Sequence, residues 1–567
     1  MKKNNVECAR RRSDSRFDRF IQKPALSLLS ILSIATFFAF FNYRGIDFSD
    51  EYVYARHAWQ IANGTFELTP SVFNNRFGIL LPLAGLVRLF GAHAPVFTLW
   101  SFACFIILLC ANYYFVRLCN NRVAFFSTLF LALNPALLEL SADVSQDLVM
   151  TCFSTISVFL LWQTQNQPSR ASFFRGALFS TMLFVAFATK MSVFYLGPFL
   201  LYFLVSDLLK KQNFPFWRGA VLSGGALLFV YFYLYYLYTG DPFYRINGIE
   251  GEYNALFDSY GRRPEWEFWA RMTIFPIPFL LKSYGTGIFA MVGALWIFRF
   301  DYKKTDSLPH FCFLWLFSLL VIHWFGSTSL QYYNPIILSE RMWLLVIPPA
   351  VLLATFTIEN LLPGLTSRQQ KLSTIFFIGI AGLCGVGLIL GGRKYPWFSL
   401  PLVVGTLATI WLWRPFPSNK KAGFYALMFL PLLWVQAGNI VQYKKNTPYF
   451  YQYTFLQSLP ENENHLVYSD PNFAAMFDIY FKFNAPKHLH YKSWYRADTS
   501  DLQHFDRFYV VRDKIRQTWT EGFRGHPTPD FAKNDHIGQI ILDNKIIQIK
   551  ALTPEEVKSI KPTPVYE

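Results

Sequence analysis

Residues 25–42 read ALSLLSILSIATFFAFFN, and residues 43–55 directly after them read YRGIDFSDEYVYA. The first stretch carries no charge and is long enough to cross a hydrocarbon core about 30 Å thick. The second brings three carboxylates, Asp47, Asp50 and Glu51, to the point where the chain leaves that core. An uncharged block followed by a polar return recurs along most of the chain. It decides the fold class: a polytopic, all-α membrane protein.

Composition agrees. Of 567 residues, 53% are hydrophobic and only 16% are charged, against about 25% charged in ordinary soluble domains. Hydropathy places about thirteen spans, with cores near 25–42, 96–116, 123–138, 148–163, 174–189, 191–207, 218–238, 284–299, 309–326, 342–361, 373–391, 396–414 and 421–439. The stretch 174–207 reads as two short helices meeting at Thr189-Lys190, and 268–283 as an interfacial helix or a further span.

The formal charge of +16 would suggest nucleic acid in a soluble protein. Here the cations fall in alternate short loops, as at Arg117 and Arg122, Lys210 and Lys211, and Lys303 and Lys304. That is the positive-inside pattern. It predicts a cytoplasmic N-terminus (1–24), a transmembrane domain (25–439) with outer loops 43–95 and 239–283, and an outer tail (440–567). The basic start lacks a small-residue cleavage pattern, so the first span is expected to be retained. The seven cysteines include no CxxC and none follows Cys384, so neither a disulfide framework nor a thiolate metal site is indicated. In the tail, strand-like runs at 466–468, 508–511, 537–542 and 546–549 accompany a helical stretch near 472–483, which reads as a small α/β domain.

The residues able to do chemistry cluster outside. With helical geometry from about Phe48, Asp47, Asp50 and Glu51 share one face. Crowded carboxylates bind a cation or force one pKa upward, as suits a general base. Equally, Ser49, Asp50 and Glu51 serve to cap a helix and complement its dipole. Arg76, in Asn74-Asn75-Arg76-Phe77-Gly78, precedes an apolar stretch (79–90) too short to span. It grips a phosphate or simply snorkels. A second acidic loop, 139–147, holds Asp143 and Asp147, the latter opening the fourth span. Lys190 lies between two apolar blocks, which is costly unless it pairs. Glu340-Arg341 begins the tenth span and is either an internal ion pair or a phosphate contact. Arg245, Arg262, Arg263 and Arg271, among aromatic residues, suit an interfacial segment facing anionic lipid. His488 and His490 have no evident third metal ligand. There is no Gly-rich phosphate loop or dinucleotide fingerprint, so bound ATP is not the expected energy source.

Taken together and in order, these segments resemble the GT-C superfamily of polyprenyl-phosphate-sugar-dependent transferases. The resemblance is to the bacterial branch of the dolichyl-phosphate-mannose protein mannosyltransferase family, which includes the lipid A aminoarabinose transferase. Asp50-Glu51-Tyr52-Val53-Tyr54-Ala55 resembles that branch's Asp-Glu-x-x-Tyr-Ala. Arg76, Gly78 and Pro82 resemble the following basic-and-proline segment, but lack the Lys-Pro-Pro run of the aminoarabinose enzymes. Asn134-Pro135 with Asp147 resembles the second acidic loop. Glu340-Arg341-Met342 through Pro348 resembles an Arg-Tyr-x-x-Pro segment, with Met in place of the aromatic.

The resemblance implies an inverting glycosyltransferase. It would move a sugar from a polyprenyl-phosphate donor to an envelope glycan such as lipopolysaccharide, a lipid or a protein, at the periplasmic face of a bacterial inner membrane. Asp50 is then the leading catalytic carboxylate, with Asp47 and Glu51 as second choices, and Arg76, Lys190 and Arg341 would hold the donor phosphate. A divalent cation, Mg²⁺ or Mn²⁺, held by Asp47, Asp50 or Glu51 is left open. Two readings from other classes stand beside it. A transporter or flippase would need ionisable groups deep in the spans and a repeated half, and a non-catalytic envelope assembly protein would need only the fold.

Overall fold

A computed structural model describes residues 16–46, 49–166, 171–255, 264–282, 286–300, 307–329, 331–362, 366–391, 420–442, 447–470, 474, 476–514 and 528–560. Among the described residues, nine helices have the length and hydropathy of a membrane span, and a tenth arises if one bent pair is a single span. They fall on the expected blocks: Pro24–Asn42, Ala94–Arg117, Gln146–Asn166, Ser172–Thr189, Met191–Leu209, Phe214–Thr239, Leu308–Phe325, Glu340–Leu361 and Gly423–Val441. Thr286–Phe298 is apolar but shorter, and Ser367–Gly391 is helical where the eleventh block was expected. The block 396–414 lies outside the described residues.

The block 123–138 is not one straight helix. Asn121–Leu133 and Pro135–Ser141 meet at 61°, because Pro135 has no N–H to continue the ladder and disfavours helical geometry at Asn134. The Asn134 side chain instead caps the second helix, accepting from the Leu137 N–H at 3.2 Å. The bend turns residues 135–141 sideways and delivers the second acidic loop toward the first. The stretch 268–283 forms Glu265–Thr273 and Pro276–Lys282, both far too short to span.

Glycine sets two close approaches that matter for the site. A Cβ on Gly176 would strike the Phe216 carbonyl, and one on Gly219 the Phe173 carbonyl. Helices Ser172–Thr189 and Phe214–Thr239 therefore touch backbone to backbone, as small residues allow in lipid. A Cβ on Gly78 would strike Thr189 and the Val185 carbonyl. Helix Phe77–Phe90 thus seats on the end of helix Ser172–Thr189, which brings Arg76 beside Lys190.

The tail is a small α/β domain, as expected. Helix Pro448–Gln457 leads into a five-stranded sheet of β1 (His465–Ser469), β2 (Leu489–Ser493), β3 (Arg507–Asp513), β4 (Gln539–Asp543) and β5 (Ile547–Leu552). The order is β2-β1-β3-β5-β4, with β1 parallel to β2 and β3, and β5 antiparallel to β3 and β4. The domain shares a hydrophobic core with the first loop. Ile46, Tyr54, Ala58 and Leu83 pack in one cluster with Tyr449, Val467 and Tyr480. The larger core lies among the spans.

Candidate active site

Asp50 opens the helix Asp50–Asn63. Ser49 is its cap, accepting from the Glu51 N–H at 3.4 Å, and Gly64 ends it at φ +73°, where glycine avoids the Cβ penalty. The capping interpretation of Ser49 is therefore correct, and it leaves Asp50 available. The Asp50 carboxylate accepts from Arg341 at 3.0 Å and from Gln146 at 3.4 Å, both on Oδ2. Oδ1 accepts no hydrogen bond among the described residues. Arg341 thus meets Asp50 across 291 residues of sequence.

These groups line a cavity of about 430 Å³, with Glu51, Asp143 and Asp147 also in its wall. Both acidic loops and the start of the tenth span converge there. Asp47 lies outside the described residues. No group of three or more His, Cys, Asp or Glu residues has the arrangement of a metal site among the described residues.

Asp147 is more than a helix-dipole partner. The Lys190 ammonium donates to its Oδ1 at 2.5 Å, and the two side chains are 5% and 2% exposed. Lys190 also approaches the Met342 sulfur at 3.3 Å. Lys190 and Glu340-Arg341 occupy matching places, each at the entrance to a span that opens with a tight 3₁₀ stretch, Met191–Leu196 and Glu340–Val346. In both, the tight turns aim the entrance residues at the acidic loops.

Beyond the Lys190–Asp147 pair is a second cavity of about 120 Å³, lined by Arg76, Lys190 and Arg245 with Ser192 and Ser327. Arg76 is buried and bonds the Tyr54 hydroxyl. Burial raises the Tyr54 phenol, Arg76 opposing, so the hydroxyl stays neutral and accepts. Asn75, next to Arg76, holds the loop by donating to Thr69 O at 3.0 Å and Ser71 O at 2.7 Å. Its own oxygen accepts from Tyr235 at 2.8 Å. Arg76 is therefore a fixed cation and not a snorkelling one.

Arg245 was expected at the membrane surface, yet it is only 2% exposed. One nitrogen donates to the Tyr231 hydroxyl at 2.9 Å, and the guanidinium lies 5.0 Å from the Phe187 ring centre. Its Nε and second terminal nitrogen have no partner among the described residues. Buried donors of this kind are costly unless a ligand satisfies them. In sequence Arg245 was one of four loop arginines, and what sets it apart from Arg271 is burial with two nitrogens left without a partner among the described residues. Arg271, another of the four, has a structural task. It is fully buried and donates to the carbonyls of Ile336, His323 and Trp324.

Comparison with known proteins bears on the fold that carries these residues. Residues 79–236 match the family model described as dolichyl-phosphate-mannose-protein mannosyltransferase. No curated protein sequence matches the chain. Among solved structures, ArnT from Cupriavidus metallidurans in the apo state aligns with a TM-score of 0.54 at 13% identity, covering 93% of this chain and 98% of that one. The same protein bound to undecaprenyl phosphate aligns with a TM-score of 0.51 at 13% identity, covering 92% and 97%. The chain has an ArnT-like GT-C fold, and its residues 79–236 carry the family's sequence pattern.

Proposed function

We propose that this protein is an inverting glycosyltransferase that takes a sugar from a polyprenyl-phosphate donor. The observation that carries it is the pair of adjoining cavities. One gathers Arg76, Lys190 and Arg245, with two Arg245 nitrogens unpaired among the described residues, and the other presents Asp50. The ArnT-like fold and the family match support the same reading.

The chemistry follows from the layout. The donor phosphate sits against Arg76, Arg245 and Lys190, whose charges favour the anion that grows as the bond from the sugar's anomeric carbon to phosphate oxygen breaks. The acceptor hydroxyl attacks that carbon from the opposite face, so configuration inverts. Its proton passes to Asp50, acting as general base through Oδ1. Arg341 and Gln146 hold the other carboxylate oxygen and so fix the direction of Oδ1. Asp147 holds Lys190 in place.

The alternate-loop cations support a bacterial inner-membrane protein whose site faces the periplasm. The acceptor belongs to the envelope: a glycan, a lipid or a protein. No step above requires a divalent cation. A role for Mg²⁺ or Mn²⁺ beside Asp47, Asp50 or Glu51 is a separate question, answered by chelator titration of the same assay.

The test is release of isoprenyl phosphate by the purified protein in lipid nanodiscs supplied with isoprenyl-phosphate sugars and an extract of bacterial envelope glycans and lipids as acceptor. Wild-type protein should release it, and Asp50→Asn should not. Transbilayer movement of the donor without release would overturn the reading in favour of a flippase.

A further inference from the structure

Phe483 stands out in the tail. Lys482 and Phe483 adopt φ +57° and +60° in succession, a left-handed geometry that bulky side chains rarely take. Such backbone persists only where the surroundings over-determine it, and it concentrates at sites with a task. Here the geometry aims the Phe483 ring out of the tail and onto Trp59. The two rings stack with centres 4.6 Å apart and planes 9° apart. Phe97, from the neighbouring span, meets the same ring edge-on at 6.3 Å.

Trp59 belongs to the helix that begins with Asp50. Nine residues separate them, roughly 13 Å along the axis. The tail also holds the chain that enters this helix. Gly45 adopts φ +85°, and a Cβ there would strike the Tyr449 ring. Tyr449 packs on Tyr480 at 5.4 Å, and Tyr43 meets Phe450 at 6.2 Å. Tyr52, Ala55 and Ala58 on the helix lie in one core with Met476, Ile479 and Tyr480. Contacts to the tail therefore bracket Asp50 on both sides along the chain, while its partners Arg341 and Gln146 belong to the spans.

We infer that the C-terminal domain is a positioning element for Asp50, acting through the Phe483–Trp59 stack and the Tyr449–Gly45 contact. This deepens the proposed function and rests on its assignment of Asp50. Phe483 and Tyr449 touch no reacting group. They set the angle of the helix that presents the carboxylate. The left-handed backbone closes the end of helix Phe477–Tyr480, the Phe483 N–H donating to the Asp478 carbonyl at 2.6 Å, and so directs the ring at Trp59.

The test reads position directly. In a background with Cys8, Cys110, Cys119 and Cys384 replaced by alanine, Asp50→Cys and Arg341→Cys are joined by a short bis-maleimide. The crosslink should form with wild-type Phe483, form several-fold more slowly with Phe483→Ala, and return to the wild-type rate with Phe483→Tyr. Phe483→Leu, which keeps apolar volume but loses the stack, should behave as the alanine variant and carries the test if that variant does not fold. An undiminished crosslink in a folded Ala or Leu variant overturns the inference. No sugar enters this experiment, so its failure leaves the proposed transfer standing. Without the two added cysteines, the same variants should lower kcat by between about tenfold and a hundredfold, as displacement by 1 Å does, with the donor KM unchanged. A loss confined to thermal stability, with kcat intact, also overturns it.

Discussion

The Lys190 ammonium lies 2.5 Å from the Asp147 carboxylate, 43 residues away in sequence, and the pair is buried where two spans begin. At this depth the pair's net worth is small, because desolvation of both ions offsets their attraction. Removing one partner is another matter, since it strands a charge. Asp147→Asn or Lys190→Met alone should destabilise the protein by about 3–5 kcal/mol. The double variant Asp147→Leu with Lys190→Met should regain most of that loss, while still failing to release isoprenyl phosphate. Thermal unfolding in detergent checks the first part. A double variant no more stable than either single one would show that the charges themselves support the fold.

Asp50 should separate activity from stability. Its bond to Arg341 is half in water, with side chains 25% and 47% exposed, so the pair is worth at most about 1 kcal/mol. Asp50→Asn keeps the shape and the Gln146 neighbour but cannot take a proton. Transfer should fall by about 10² to 10⁴-fold, with the melting temperature nearly unchanged. Isoprenyl-phosphate release and a melting curve on one preparation decide it. Substantial transfer by the Asn variant would move the base to Glu51 or Asp47.

What the sequence showed and what it hid have physical reasons. Spans were legible because each backbone segment in lipid must be uncharged and long. Asp50 was legible because acidic residues at a span exit are conspicuous, and Lys190 because an intramembrane charge is costly. The partners of these residues were hidden. Nothing local ties Asp147 to Lys190 or Arg341 to Asp50, since such pairings come from helix packing. Tyr54, Gln146 and Arg245 were missed as site residues for the same reason, and the bend at Pro135 joined two segments that hydropathy alone fuses. In the tail, β2 was not among the strand-like runs, because its five residues, Leu489–Ser493, are too few to stand out.

Arg245 invites an unusual expectation. A buried guanidinium with two nitrogens unpaired among the described residues is costly to the fold. Arg245→Met fills similar space without that cost. The variant should melt no lower than wild type in the absence of donor, and it should lose the stabilisation that isoprenyl phosphate gives the wild-type protein. Its donor KM should rise by roughly tenfold or more, the value of one charge-assisted hydrogen bond of about 1.5–3 kcal/mol. A variant that binds isoprenyl phosphate as well as wild type would remove Arg245 from the phosphate site.

Asp207 supplies the opposite case, a buried carboxylate whose work is structural. It is fully buried and accepts from Gln165 at 2.7 Å, Gln212 at 2.8 Å, Asn213 at 3.2 Å and Trp217 at 2.8 Å. Gln212 and Asn213 lie in the connection after Asp207's own span, where Lys211 and Asn213 take left-handed backbone, and Gln165 and Trp217 come from the spans Gln146–Asn166 and Phe214–Thr239. The carboxylate therefore ties a tight turn to the helices on either side of it. Asp207→Ala leaves four donors short of an acceptor and should cost about 2–4 kcal/mol, since water at the membrane edge replaces part of the lost bonding. The site should not feel it. Seventeen residues of helix separate Asp207 from Lys190, roughly 25 Å. Folded Asp207→Ala protein should therefore release isoprenyl phosphate with normal kcat and KM, at a lowered melting temperature. A loss of kcat in protein still folded at the assay temperature would show that this end of the bundle is coupled to the site.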